Sequence, residues 1–252
     1  MEKKPLLRIF DVYKSFGGIK AVDGVSFDLF EKQIKAVVGP NGAGKTTLFN
    51  IITGLYKADR GKIELFGEDI TNCKSHKLIK KGIARTFQNI QLISDLTVFE
   101  NIAIGAHHLF DTNLLEAFLG LYKKNEKKVF EKLKWIIRFL KIEEYVDLYP
   151  DELPFGIKRI VEIGRAIASN PKLLLLDEPA AGLNESESEQ LLNIIFRVWE
   201  KGTTILLIDH DIEFVASCSH SIVVMDSGKK IAEGLPSEVL NDERVIRAYI
   251  GE

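Results

Sequence analysis

Apolar and polar positions along this chain follow two alternating textures. Near the start, short apolar runs at 7–12, 25–29, 34–38 and 62–66 are separated by glycines, which predicts β-strands. From 75 to 149 the spacing turns helical: Val129, Leu133, Ile136, Ile137 and Leu140 recur on one face within a lysine-rich surround, which predicts a helical insert. Beyond it, 173–176 and 204–208 are intensely apolar with no polar alternation, as in strands buried on both faces of a parallel sheet. Helical patterns at 157–168 and 187–199 precede these two strands. The alternation predicts a layered α/β fold whose opening third is dominated by β structure. No internal repeat, low-complexity tract or flexible linker interrupts it.

Composition narrows the picture. With 46% hydrophobic and 28% charged residues in 252, the chain is long enough for one large α/β domain, or for a core with a smaller lobe. A net charge of −2 gives no basic field to draw it to nucleic acid or to an anionic membrane. Cys73 and Cys218 fit neither a disulfide framework nor a paired metal-ligand spacing, which points to a reducing compartment. No apolar run approaches the roughly 18 residues that span a bilayer, and residues 1–7 are too short and polar for a signal peptide. The expectation is a cytoplasmic chain that meets a membrane only through partners. The lysines of 123–134 are interspersed with Glu126 and Glu131, so they read as a solvated helix face with no site.

The sharpest chemical signal is Gly39-Pro40-Asn41-Gly42-Ala43-Gly44-Lys45-Thr46-Thr47, which satisfies G-x-x-x-x-G-K-[ST] between a buried strand and a helix containing Leu48, Ile51 and Ile52. Glycines let backbone N–H groups approach phosphate oxygens. Lys45 supplies a cation for the β- and γ-phosphates, and the Thr46 hydroxyl suits Mg2+. A second element is the apolar strand ending Leu176-Asp177-Glu178-Pro179. Asp177 is placed to hold Mg2+ through water, and Glu178, one residue on, to act as general base toward an attacking water. The Asn-Lys-x-Asp sequence of guanine-specific sites does not occur. The interval between 88 and 153 is too short for the coiled coils of chromosome-maintenance ATPases.

Together these motifs and their spacing resemble the ATP-binding subunit of ABC transporters across essentially the whole chain. The resemblance implies a P-loop NTPase core with an antiparallel β edge, spanning 1–252 as an ABC-type ATP-binding domain, and a helical subdomain at about 90–168 inserted in it. It implies ATP and Mg2+ as cofactors and ATP hydrolysis coupled to transport. It also assigns roles: Phe16 as the aromatic on which adenine stacks, Gln88 as a residue touching Mg2+ and water, and His210 as a contact to the γ-phosphate. A core position for Phe16 and a surface or structural role for Gln88 and His210 are the readings to weigh against these.

The family's signature segment, usually Leu-Ser-Gly-Gly-Gln, reads Leu153-Pro154-Phe155-Gly156-Ile157 here. Leu153 and Gly156 match. The serine hydroxyl, one glycine and the glutamine are missing, although a helix start with Pro154 and Gly156 keeps a dipole for the opposite subunit's phosphate. Glu178-Pro179-Ala180-Ala181-Gly182-Leu183-Asn184 and the close Val245-Ile246-Arg247-Ala248-Tyr249-Ile250-Gly251 look like the branched-chain amino-acid importers. The first of these is shared with lipopolysaccharide-export ATPases, and a soluble ATPase acting as an assembly scaffold is the reading from another class. The implied partners are polytopic membrane permease subunits, a second ATPase subunit, identical or paralogous, and indirectly a periplasmic binding protein. The implied place is the inner face of the cell membrane.

Overall fold

A computed structural model describes residues 4–107 and 122–250, with residues 122–127 and 250 described in their backbone only. Part of the lysine run of 123–134, and Gly251 at the close of the tail, therefore lie outside the described side chains. The chain divides into two compact units: residues 1–85 with 172–252, and residues 86–171.

The first unit holds two sheets. Strands β1 (Leu7–Phe16), β2 (Ile19–Leu29), β4 (Arg60–Leu65) and β5 (Glu68–Asp69) form an antiparallel sheet in the order β2-β1-β4-β5. Strands β3 (Ile34–Val38), β6 (Ile83–Arg85), β7 (Leu173–Asp177), β8 (Thr204–Ile208), β9 (Ser221–Asp226) and β10 (Lys229–Gly234) form a second sheet in the order β10-β9-β3-β8-β7-β6. It is parallel except for β10 at its edge. Every residue of β3, β7 and β8 is buried, as strands covered on both faces should be, including Lys35 of β3, whose Nζ pairs with Glu233 Oε1 at 2.5 Å. Between the sheets, Leu7, Ile9 and Ile63 of the antiparallel layer share one core with Leu48 and Phe49 of α1 (Lys45–Ile52) and with Val37, Leu175 and Ile208 of the parallel layer. Helix α2 (Ser75–Lys80) completes the early part of this unit.

Two expectations change here. The antiparallel strands run longer than the apolar runs at 7–12 and 25–29, because both continue past the buried residues into exposed hairpin positions. The helical texture expected from 75 to 149 is broken by β6, a three-residue strand that pairs with β7 in the first unit. A strand that short carries too few residues to show a period.

Among its described residues the second unit is helical. Helices α3 (Val98–Gly105), α4 (Tyr122–Leu140) and α5 (Phe155–Ala168) pack on one another. The predicted stripe Val129, Leu133, Ile136, Ile137 and Leu140 is buried, and so are Ile160, Val161, Ile167 and Ala168 of α5. Thr97 caps α3 in a reciprocal box with Glu100. The approach of α5 is close: a Cβ on Gly164 would lie 2.8 Å from Leu140 Cδ1. Lys132 departs from the solvated-face expectation. Its Nζ donates to the Ala168 carbonyl at 2.9 Å, satisfying an orphan acceptor at the end of α5, and burial lowers its pKa.

The first unit closes with α6 (Glu185–Glu200), capped by Asn184 and Glu187, α7 (Ile212–Cys218), and the short α8 (Pro236–Val239) and α9 (Glu243–Ile250). Helix α7 packs on β3. Among the described residues, no helix is long and apolar enough to cross a membrane.

Candidate active site

Sheet topology concentrates the candidate residues of the first unit. In the order β3-β8-β7 all three strands run parallel, and the register sets Val37 and Asp177 each opposite Ile208. The segments that leave these strands, Gly39–Lys45, Glu178 and Asp209–His210, therefore emerge at one edge. The carboxyl ends of strands in an open α/β sheet are where such folds bind ligands.

The loop after β3 is built around places where only glycine fits. At Gly44 φ is +95°, and a Cβ would sit 2.0 Å from the Ala21 carbonyl oxygen. At Gly39 a Cβ would sit 2.0 Å from that of Met225. Gly44 is also the residue from which α1 begins. The first N–H groups of α1, on Lys45, Thr46 and Thr47, thus point out of the helix start without intrahelical acceptors. The Lys45 side chain folds back over the loop, 5% exposed, and its Nζ donates to the carbonyls of Gly39 at 2.6 Å and Pro40 at 2.9 Å. A cation is thereby held inside a glycine-walled cradle. Thr46 and Asn41 are exposed at the rim, Gly42 is exposed with φ +79°, and Ala43 is buried beneath.

Opposite this loop, Asp177 ends β7 and is buried, and its Oδ2 accepts a 2.5 Å hydrogen bond from Arg85 Nη2. Glu178 follows with φ +44°, a left-handed conformation that costs a non-glycine residue about 1–3 kcal/mol and tends to occur at functional sites. Its backbone N–H donates to Ile208 O at 2.8 Å, which ties the strained residue to β8. From β8 comes His210, whose Nδ1 lies 3.6 Å from Glu178 Oε2 and 3.5 Å from Asp209 Oδ1. Its side chain is 56% exposed, so the ring reaches out from the sheet edge between two carboxylates. Asp209 is buried beneath it. Burial raises the pKa of Asp209, opposed by backbone hydrogen bonds from Asp211, Ala180 and His210.

Phe16 is 44% exposed, which removes the core reading. Its ring lies edge-on to Tyr56 at 5.3 Å between centroids, and Lys14 Nζ stands 5.3 Å from its centre. Asp59 fixes the turn beside it, accepting from Lys14 Nζ and from the Ser15 N–H, each at 2.7 Å.

The remaining expected residues belong to the second unit. Gln88 is exposed, and its carbonyl accepts from Arg159 Nη2 at 2.9 Å. The same arginine donates to the Phe87 carbonyl and to Glu162 Oε2, each at 2.8 Å, while Glu162 Oε1 accepts from the Phe87 N–H. Arg159 and Glu162 are each 1% exposed. Burial raises the Glu162 pKa, against the pull of the Phe87 N–H and the Arg159 charge. Helix α5 thus grips the backbone beside Gln88. Pro154 serves as the N-cap of α5, Leu153 is buried, Gly156 lies within the first turn, and Phe155 stands 46% exposed. The departures from the family's signature leave the helix intact, because proline at a helix start lacks only an N–H that the helix does not use.

Sequence pattern alone singles out neither Arg85 nor the Arg159–Glu162 pair. For the pair a signal exists: Glu162 sits between Val161 and Ile163 on the core side of α5, where a charge needs a partner, and Arg159 is one turn back. For Arg85 there is none.

Comparison with known proteins places this architecture. A family model described as "ABC transporter" matches residues 22–181, and one described as "Branched-chain amino acid ATP-binding cassette transporter" matches 229–252. The chain is 38% identical over 252 residues to the high-affinity branched-chain amino acid transport ATP-binding protein BraF of Pseudomonas aeruginosa, covering 99% of each chain. It is also 38% identical to a probable branched-chain amino acid transport ATP-binding protein LivG of Methanocaldococcus jannaschii, covering 98% of each. Among solved structures, the ADP conformation of an ATP-binding cassette from an ABC transporter superposes with a TM-score of 0.87 at 38% identity. It covers 99% of this chain and 100% of that one. Full-length identity at this level, a family model over most of the chain, and a sheet edge carrying Lys45, Asp177 and Glu178 lead to one conclusion: the chain belongs to the ABC transporter family, as an ATP-binding cassette.

Proposed function

We propose that this chain hydrolyses ATP to power an importer for branched-chain or other hydrophobic amino acids. In this reading it works on the cytoplasmic face of the membrane with polytopic permease subunits and a second cassette, and a periplasmic binding protein delivers the cargo. The convergence of Lys45, Asp177, Glu178 and His210 on one sheet edge carries the chemistry. The full-length match to branched-chain transport ATP-binding proteins, with the tail match at 229–252, supports the cargo class over lipopolysaccharide export or a scaffold.

The residues present fit a nucleotide and its metal. A cradle that a Cβ would fill at Gly39 and Gly44, with an ammonium inside it, suits an anionic phosphate chain. The Thr46 hydroxyl at the start of α1 and the Asp177 carboxylate at the end of β7 would hold Mg2+. Bound there, Mg2+ supplies charge neutralisation at the β- and γ-phosphates. Lys45 orients the same phosphates, and Phe16 offers its exposed ring to the adenine.

Glu178 then accepts a proton from water as the water oxygen bonds to the γ-phosphorus. The bond from that phosphorus to the β–γ bridging oxygen breaks, releasing ADP and phosphate. His210, flanked on one side by two carboxylates, presents its other ring nitrogen to the γ-phosphate. The start of α5, with Leu153 buried and Gly156 in its first turn, faces the nucleotide of the second cassette in this reading. Closure of the two cassettes over ATP, and reopening after hydrolysis, drives the permease between access states.

The test is uptake. Deleting the gene should abolish energy-dependent uptake of radiolabelled leucine, isoleucine or valine, with restoration by the unmodified gene and none by Glu178→Gln. Full uptake in the deletion strain contradicts the cargo assignment.

A further inference from the structure

Arg85 ends β6, opposite Leu175 in register, so it lies beside the strand that delivers Asp177. Its side chain is 8% exposed and that of Asp177 is 2% exposed. The guanidinium is held from two directions. Nη1 donates to Asn50 Oδ1 at 2.7 Å and to Thr53 Oγ1 at 2.9 Å, while Nη2 donates to Asp177 Oδ2 at 2.5 Å. Its Cζ lies 5.8 Å from the Phe49 ring centre. Asn50 and Phe49 belong to α1, the helix that grows out of the phosphate loop, and Thr53 follows it directly. One planar cation therefore ties the helix after the loop to the carboxylate at the metal edge, an arrangement that the fork of arginine permits and the point charge of lysine does not reproduce.

We propose that Arg85 is a positioning residue and counter-cation for Asp177, which sets how strongly the candidate site takes a divalent cation. The proposal rests on Asp177 being at the metal edge. A fixed unit charge in hydrogen-bond contact with a buried carboxylate offsets much of the field that carboxylate projects, so a second cation arriving nearby is attracted less. Such damping suits a site that must release its metal with ADP on every turnover. A plain structural ion pair predicts something different. Removing one partner would then loosen the fold and leave metal affinity unchanged or weaker.

The sign of the change separates the two. The measurement is the Mn2+ concentration that half-saturates the complex of the full chain with ADP, read by Mn2+ electron paramagnetic resonance with protein in excess of nucleotide. Arg85→Gln removes the charge and should lower that concentration by about three- to tenfold. Arg85→Met should do the same where the glutamine variant does not fold. Arg85→Lys keeps the charge and should stay within about twofold of the unmodified chain. Binding of a fluorescent ATP analogue in EDTA should be unaltered within about twofold in all three. An Arg85→Gln midpoint equal to or above that of the unmodified chain overturns the proposal alone. Failure of the unmodified chain to bind Mn2+ with ADP overturns the metal reading and the proposal with it.

Discussion

Two helix starts in this molecule carry family motifs, and they tolerate change very differently. At the phosphate loop the backbone runs so close to Ala21 and Met225 that a single Cβ at Gly44 or Gly39 would lie 2.0 Å from a carbonyl oxygen. At the signature segment, proline and phenylalanine replace serine and glycine, yet α5 starts at Phe155 with Pro154 as its N-cap. The first motif is a steric requirement and the second a set of side-chain contacts. A motif that shapes the backbone admits no substitution, whereas one that only adds donors at a helix N-terminus degrades one hydrogen bond at a time.

Gly44→Ala should cost the most. Overpacking adds about 1–3 kcal/mol and a left-handed alanine adds about 1–3 kcal/mol, so a loss near 4 kcal/mol is expected in the thermal unfolding of the chain, with loss of ATP binding. A stable variant that still binds ATP would show that the loop relaxes freely.

In the second unit the corresponding weak point is the buried clamp behind the signature. Arg159→Met leaves the buried Glu162 with only the Phe87 N–H and the charge of Arg165 to offset its burial and should destabilise by about 3 kcal/mol, the low end for a broken buried pair, because these remain and the carboxyl can protonate. The folded pKa of Glu162 is already raised by burial, and losing Arg159 raises it further. A raised folded pKa contributes stability that is fully present below the unfolded value of about 4.3 and is lost as pH rises through the folded pKa. The deficit relative to the unmodified chain should therefore be smaller at pH 5 than at pH 8. A pH-independent deficit would show that Glu162 does not titrate there.

The fold and the site were legible to different depths. The buried strands β3, β7 and β8 and the stripe on α4 follow from apolar runs and helical spacing, and the loop from Gly39 to Thr47 follows from its own glycines. Strand β6 was hidden because three residues show no period. Arg85 was hidden because its partner lies 92 positions away, at a distance that only the folded sheet closes. Glu162 left a trace, as a charge on the wrong face of a helix, whereas the strain at Glu178 left none, since φ there is set by the turn between β7 and the capped start of α6.

At the tolerant helix start the change should be mild. Pro154→Ser restores one hydrogen-bonding hydroxyl at the start of α5, worth about 0.5–1.5 kcal/mol, and should raise the ATPase rate of the assembled transporter by roughly two- to tenfold. An unchanged rate would mean that the missing hydroxyl is not what limits hydrolysis.

In the proposed mechanism Glu178 is the base, beside a loop that binds ATP without it. Glu178→Gln in the assembled transporter, with bound ATP and steady-state phosphate release measured on the same sample, tests this most directly. The predicted result is undiminished ATP occupancy, with turnover lowered by about 10²–10⁴-fold. Turnover within a few-fold of the unmodified protein would contradict it.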